Sequence, residues 1–327
     1  MLHQRRQVAA AALLAGLASG SLAAPFAWIT NQGSHDVSVI DLASQQVVAT
    51  VAVGRSPAGV VAASRAGKVF VSNPDSRDIS VIDMRDQRVV GTLAAGDGPV
   101  GIDASPDGTR VFAADWYANR LLVFDTAGSG AQQAPLARIE VGRAPAGVAA
   151  HPGNRVVFVA ERDDDSVAVV GVRERRVLSR VKVGSHPFAL LFDAARERLY
   201  ALNVQSDDVS VIDVRDRHAP RVIATVATGK APYGAALALG GALLYVTNQH
   251  DDSVSVIDAE SLKLLRTLNG FGYPEGVAAH GDKVYVVNWM DDDVSVLDAA
   301  SGQALRRIAT GRNSRGFGAF IGAPALP

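Results

Sequence analysis

The chain has 327 residues, seven histidines, no cysteine and a formal net charge of −1, long enough to bury a large core in one domain or two. Without cysteine it can hold no thiolate metal site, iron–sulfur cluster or c-type haem attachment, and it has no cysteine nucleophile. A charge so close to zero argues against nucleic acid as a partner, and few aromatics beside abundant Val and Ala suit strands packed face to face.

The first element is a targeting segment. MLHQRRQVAAAALLAGLASGSLAAPF opens with Arg5 and Arg6, continues through a short apolar run over residues 8–17, and then supplies Ser21 and Ala23 as the small residues of a cleavage site. The run is too short for an ordinary membrane-spanning helix. The expectation is a signal peptide over residues 1–23 and a periplasmic or secreted chain without a membrane span. Losing Arg5 and Arg6 with it takes the formal charge from −1 to −3. The Arg pair also fits a twin-arginine signal, so both export routes stay open.

From residue 26 onward one phrase recurs. It reads FAWITNQGSHDVSVID at 26–41, VFVSNPDSRDISVID at 69–83, VFAADWYANRLLVFD at 111–125 and VFVAERDDDSVAVVG at 157–171. It continues as LYALNVQSDDVSVID at 199–213, YVTNQHDDSVSVID at 245–258 and YVVNWMDDDVSVLD at 285–298. The last residues are Asp41, Asp83, Asp125, Gly171, Asp213, Asp258 and Asp298, stepping by 42, 42, 46, 42, 45 and 40 residues. A period of about 40 with strand-like content marks a repeat architecture.

The final repeat divides into strands over 274–279, 283–288, 294–297 and 304–310, separated by turns rich in Gly and Asp, which is a four-stranded antiparallel meander. In Val-Ser-Val-Ile only the Ser is polar, so each sheet must be covered on both faces. Seven such sheets covering one another radially predict an all-β fold, a seven-bladed β-propeller spanning residues 24–327. The first copy starts at its second strand. The segment GRNSRGFGAFIG at 311–322 repeats the loop and first strand of GRSPAGVVAA at 54–63. Residues 316–321 are therefore expected to complete the first blade and close the ring.

The Y-V-T-N strand, the D-D-x-V-S-V-I-D strand and the G-x-x-P-x-G loop resemble the YVTN-family β-propeller repeat, and the exported single-domain layout is similar to YncE-like proteins. The resemblance covers about residues 26–321 and implies the propeller fold. It does not choose a function, because similar repeats occur in surface-layer proteins, lactonase-like enzymes and periplasmic redox enzymes.

Polar residues that recur in blade after blade read as structure. Asn31, Asn73, Asn203, Asn248 and Asn288 end their strands and are expected to bond the turn backbone and take positive φ. The acids after them and the closing Asp should cap turns, with Gly supplying tight turning and Pro setting the path into the inner strand. Asp163 to Asp165 and Asp291 to Asp293 lack the D-x-D-x-D-G calcium pattern, and no two histidines have ligand spacing, so no metal or cofactor is expected. No G-x-S-x-G, H-E-x-x-H or P-loop motif occurs, which favours a non-catalytic protein.

Function should then lie where the repeat is broken. After the loop Pro stand Ala58, Val100 and Ala146, but then Phe188, Tyr233 and Glu275, and finally Arg315, where Ser314 replaces Pro. After the Asn position stand Gln32, Pro74, Trp116, Arg162, Val204, Gln249 and Trp289, with Asp115 and Glu161 replacing the Asn itself. Both loop types emerge on one face around the channel mouth. Trp116, Arg162, Phe188, Tyr233, Glu275, Trp289 and Arg315 are therefore the candidate site of a monomer that binds a partner protein or small ligand. One alternative is a lactonase-like hydrolase with Glu275 or Glu161 as base and Arg315 or Arg162 as electrostatic stabiliser. Another is a redox accessory protein holding a quinone or haem between the aromatics.

Overall fold

The computed structural model describes residues 25–126 and 134–324, so the signal peptide expected over 1–23 lies outside the described residues. Within them the chain forms seven four-stranded antiparallel sheets. The last blade, Pro274–His280, Lys283–Asn288, Asp293–Asp298 and Ala304–Ala309, matches the expected strands to within one residue at each boundary. First strands of successive blades touch around the central axis, and fourth strands form the rim.

The apolar runs are explained by where the cores sit, which is between blades. Trp28 and Val39 of the first blade share one cluster with Val71 of the second and Tyr285 of the seventh. Each such side chain, taken fully out of water, contributes roughly 1.5–3 kcal/mol. The rim strand Gln46–Ala52 is mostly exposed. Six of the third-to-fourth-strand pairings carry a register shift, for example at Val39/Ile40 and Val81/Ile82. A bulge there bends the exposed edge away from pairing with another molecule.

The ring closes as expected, with a different strand boundary. The regular pairing is Ile321–Gly322 against Phe26 and Ala27, not 316–321. Residues before it bond two blades at once. Phe320 O accepts from Trp28 N at 2.9 Å, while Phe317 O and Ala319 O each accept from the second blade, from Val60 N and Ala62 N at 2.8 Å. Gly316 at φ +62° and Gly318 at φ +121° break the extended path that a continuous strand would need.

The repeated residues are structural, but by other means than expected. Asn31 Nδ2 donates to Asp36 Oδ1 at 2.6 Å and Ser38 Oγ at 2.9 Å, and Asn73, Asn203 and Asn288 repeat this pattern. The Asn thus clamps the next strand through side chains. Positive φ falls later, on Asp165, Asp207, Asp252 and Asp292. Their carboxylates accept the N–H of His186, Ala231, Tyr273 and Asn313, tying each turn to the loop of the following blade.

Some loop glycines turn the chain as expected, with Gly96 at φ +78° and Gly270 at φ +97°, and others answer a close approach. A Cβ on Gly54 would sit 2.7 Å from the Asn73 side chain, and one on Gly101 would lie 2.0 Å from the carbonyl oxygen of Ala146 in the next blade. The closing Asp caps its turn as expected, with Asp41 accepting from Ser44 N at 2.6 Å and Asp298 from Ser301 N at 2.8 Å.

Candidate functional site

Six of the seven candidate residues meet in one continuous cluster on the loop face. The Arg162 guanidinium lies 5.6 Å from the centre of the Trp116 ring, which tilts against Phe188 at 6.1 Å. Phe188 stacks on Tyr233 at 4.6 Å, and Arg315 lies over the same Tyr233 ring at 5.8 Å. Arg315 Nη2 also donates to the Tyr233 hydroxyl, and its Nε donates to Glu275 Oε2 at 2.6 Å. Trp289 stands apart from this chain of contacts. It packs on Tyr273 at 5.6 Å and donates from Nε1 to Gln32 Oε1 at 3.3 Å.

The Glu275–Arg315 pair is nearly dry, the carboxylate side chain being 4% exposed and the guanidinium 17%. Burial pushes the Glu275 carboxyl up, against the pull of Arg315 and of Gln249 Nε2, which donates to Oε1 at 2.8 Å. Burial opposes the Arg315 cation as well, but Glu275 and Tyr233 outweigh it and hold the guanidinium charged. Burial also raises the Tyr233 phenol above its usual range, so that it stays neutral.

Neither acid of the hydrolase alternative has a free oxygen aimed at the mouth. Both Glu275 oxygens are engaged as above. Glu161 is fully buried and does the work of the Asn it replaces, accepting from Gly142 N at 2.7 Å, Ser166 Oγ at 2.7 Å and Arg180 Nε at 2.9 Å. In the Asp163 to Asp165 run, Asp164 accepts from Arg143 N and Nε, and Asp163 from Arg162.

Phe317 is the residue that sequence reasoning missed. It lies 5.1 Å from Phe188 and 5.7 Å from Tyr233, completing an aromatic plug across the channel. A signal for it existed. In the repeat alignment it occupies the place of Val60, Ile102, Val148 and Val277, where every other blade carries an aliphatic residue. Tyr117 and Met290, one residue beyond Trp116 and Trp289, were also passed over, and they are 75% and 63% exposed.

The channel mouth at the loop face is thus filled, and the open space lies beneath it. A cavity of about 450 Å³ runs from Phe317, along Val148, Leu190, Ala235 and Val277, to exposed Pro152 and Ala194 at the opposite face.

Seven blades of one degenerate motif, closed by a C-terminal segment that also plugs the channel, define a single-ring repeat propeller. The chain belongs to the YNCE-like β-propeller family, whose pattern it matches over residues 62–154 and 137–325. No curated protein sequence matches the chain. Among solved structures it is similar to a functionally unknown protein from Desulfotomaculum acetoxidans DSM 771, with TM-score 0.79 and 14% identity over 92% of this chain and 99% of that one. It is also similar to Kuenenia stuttgartiensis hydrazine synthase, with TM-score 0.74 and 19% identity over 89% and 99%. A third likeness is to the dihydro-heme d1 dehydrogenase NirN in complex with DHE, with TM-score 0.66 and 15% identity over 89% of this chain and 74% of that one. At these identities the likeness speaks for the fold.

Proposed function

We propose that the protein is an exported, non-catalytic propeller whose loop face docks a partner protein. The observation that carries this reading is the exposure of Tyr117 and Met290 on a face where Trp116, Arg162 and Trp289 are only partly buried. Aromatic side chains, Met and Arg are the residues enriched in protein interfaces, and clustered aromatic and Arg anchors carry most of their energy. The signal-like N-terminus supports export to the periplasm or beyond. A small ligand at the same mouth finds less room, because Phe188, Tyr233 and Phe317 pack on one another there.

A photo-cross-linking residue placed at Met290 in the expressing cell should give a discrete protein adduct, and one placed at Asp282 on the opposite face should not. The combined change Trp116→Ala, Tyr117→Ala, Trp289→Ala should abolish the adduct. Undiminished yield from that variant overturns the reading.

A further inference from the structure

The far end of the channel holds a second site, different in kind from the loop face. Among the residues lining the 450 Å³ cavity, Asp103 is the one with an ionisable side chain. In the repeat alignment its place is held by Val61, Ala149, Leu191, Ala236 and Ala278, so a single blade puts an acid where the others put an apolar group. Asp103 closes the first strand of its blade next to Ala104 and reaches across to the neighbouring blade. Its Oδ1 accepts from Ala104 N at 2.8 Å, and its Oδ2 from Ala150 N at 2.7 Å.

Two backbone donors leave half of the carboxylate's acceptor capacity unused. No basic side chain among the described residues pairs with it. The ionisable groups nearest in sequence to the cavity lip are already matched, His151 with Glu197 at 3.3 Å and Arg196 with Asp193 and Glu260 at 2.9 Å. Burial raises the Asp103 pKa from 3.8 to about 6, which still leaves the group mainly ionised at neutral pH. An anion in an apolar chamber without a counter-ion is costly, and a cation that enters with its own apolar body relieves that cost. The volume lies within the range of small-molecule pockets.

We propose that the channel end opposite the loop face binds a compact organic cation, an ammonium carried on an apolar ring or short chain, with Asp103 as its counter-ion. The wall of Ile102, Val148, Leu190, Phe192, Ala235 and Val277 would receive the apolar body. A metal ion fits poorly, since one carboxylate in an apolar wall cannot supply the oxygens that a hard cation requires.

The test is calorimetric titration and thermal unfolding of the purified protein with 2-phenylethylammonium, using 2-phenylethanol and 3-phenylpropionate as neutral and anionic controls. The cation should bind and raise the melting temperature, and both controls should bind about tenfold or more weakly, the range expected for losing a hydrogen bond to a charged group. Asp103→Asn should bring the cation down to the level of the neutral control. Equal binding of cation and alcohol by the wild-type protein overturns the proposal without any variant. So does an Asp103→Asn protein that unfolds cooperatively and keeps wild-type affinity for the cation, or a complete lack of cation binding up to millimolar concentration.

Discussion

The two ends of the channel are lined by the same first strands and came out opposite. At the loop face Phe188, Tyr233, Glu275 and Arg315, from the same position of the repeat in successive blades, converge with Phe317 and fill the axis. At the other end Ala149, Ala235, Ala278 and their neighbours leave the space open around Asp103. A propeller channel is narrow, so large side chains at equivalent positions of adjacent blades meet one another before they meet a ligand. The residues that depart most from the repeat therefore build the plug, and the small residues that looked like background make the pocket.

The plug can be broken most severely by removing the segment that carries it. Deleting residues 313–327 takes away Arg315, Phe317 and Phe320 together with the backbone bonds to Trp28, Val60 and Ala62. Losing two core aromatics alone costs about 3–5 kcal/mol each, and the ring is left unstitched. The melting temperature should fall by more than about 10 °C, with aggregation on heating. An unchanged melting temperature would refute the closure.

Glu275→Gln tests whether the plug depends on its ion pair. It leaves Arg315 buried and charged without a counter-charge, which should cost about 3–5 kcal/mol in urea unfolding. The double change Glu275→Leu, Arg315→Met should recover most of that loss, since the apolar pair needs no desolvated charge. A double variant as unstable as the single one would mean that shape, not charge, governs the position. Phe317→Ala should cost about 3–4 kcal/mol and join the cavity to the loop face. A fluorescent apolar probe should then bind more strongly than to wild type, and unchanged probe binding would mean the plug is sealed by Phe188 and Tyr233 alone.

Most of the fold could be read before the structure because the repeat states it seven times. The strand over 283–288 and the closure of GRNSRGFGAFIG onto the pattern of GRSPAGVVAA both followed from comparing one blade with another. The site was only half legible. Residues after the loop Pro and after the Asn position were found because they vary there, and six of them, four after the Pro position and two after the Asn position, do touch. Which side chains line the cavity could not be read, because the first strands carry a register shift just after the Pro, as between Pro145 and Val148 or Pro274 and Val277. A bulge there reverses the alternation on which inward and outward assignments depend. Asp103 lies one residue beyond that shift in its own blade, between Pro99 and Ile102, and so its inward position was hidden.

The smallest effect is also the one that most directly separates the two ends. Asp103 has its folded-state pKa raised to about 6 from 3.8, so the unfolded chain releases this proton first as pH rises. Between those values the folded protein binds more protons, and stability falls with rising pH by up to about 3 kcal/mol, remaining lowered above pH 6. Asp103→Asn removes that burden but loses one acceptor for the Ala104 or Ala150 N–H. At pH 8 the variant should therefore melt above wild type, and at pH 4 at or slightly below it. Carboxylates common to both proteins, such as the turn-capping Asp41 and Asp298, cancel in the difference. An offset that is the same at both pH values would mean that Asp103 ionises as freely as in water, and the chamber around it could not be the apolar, uncompensated site described above.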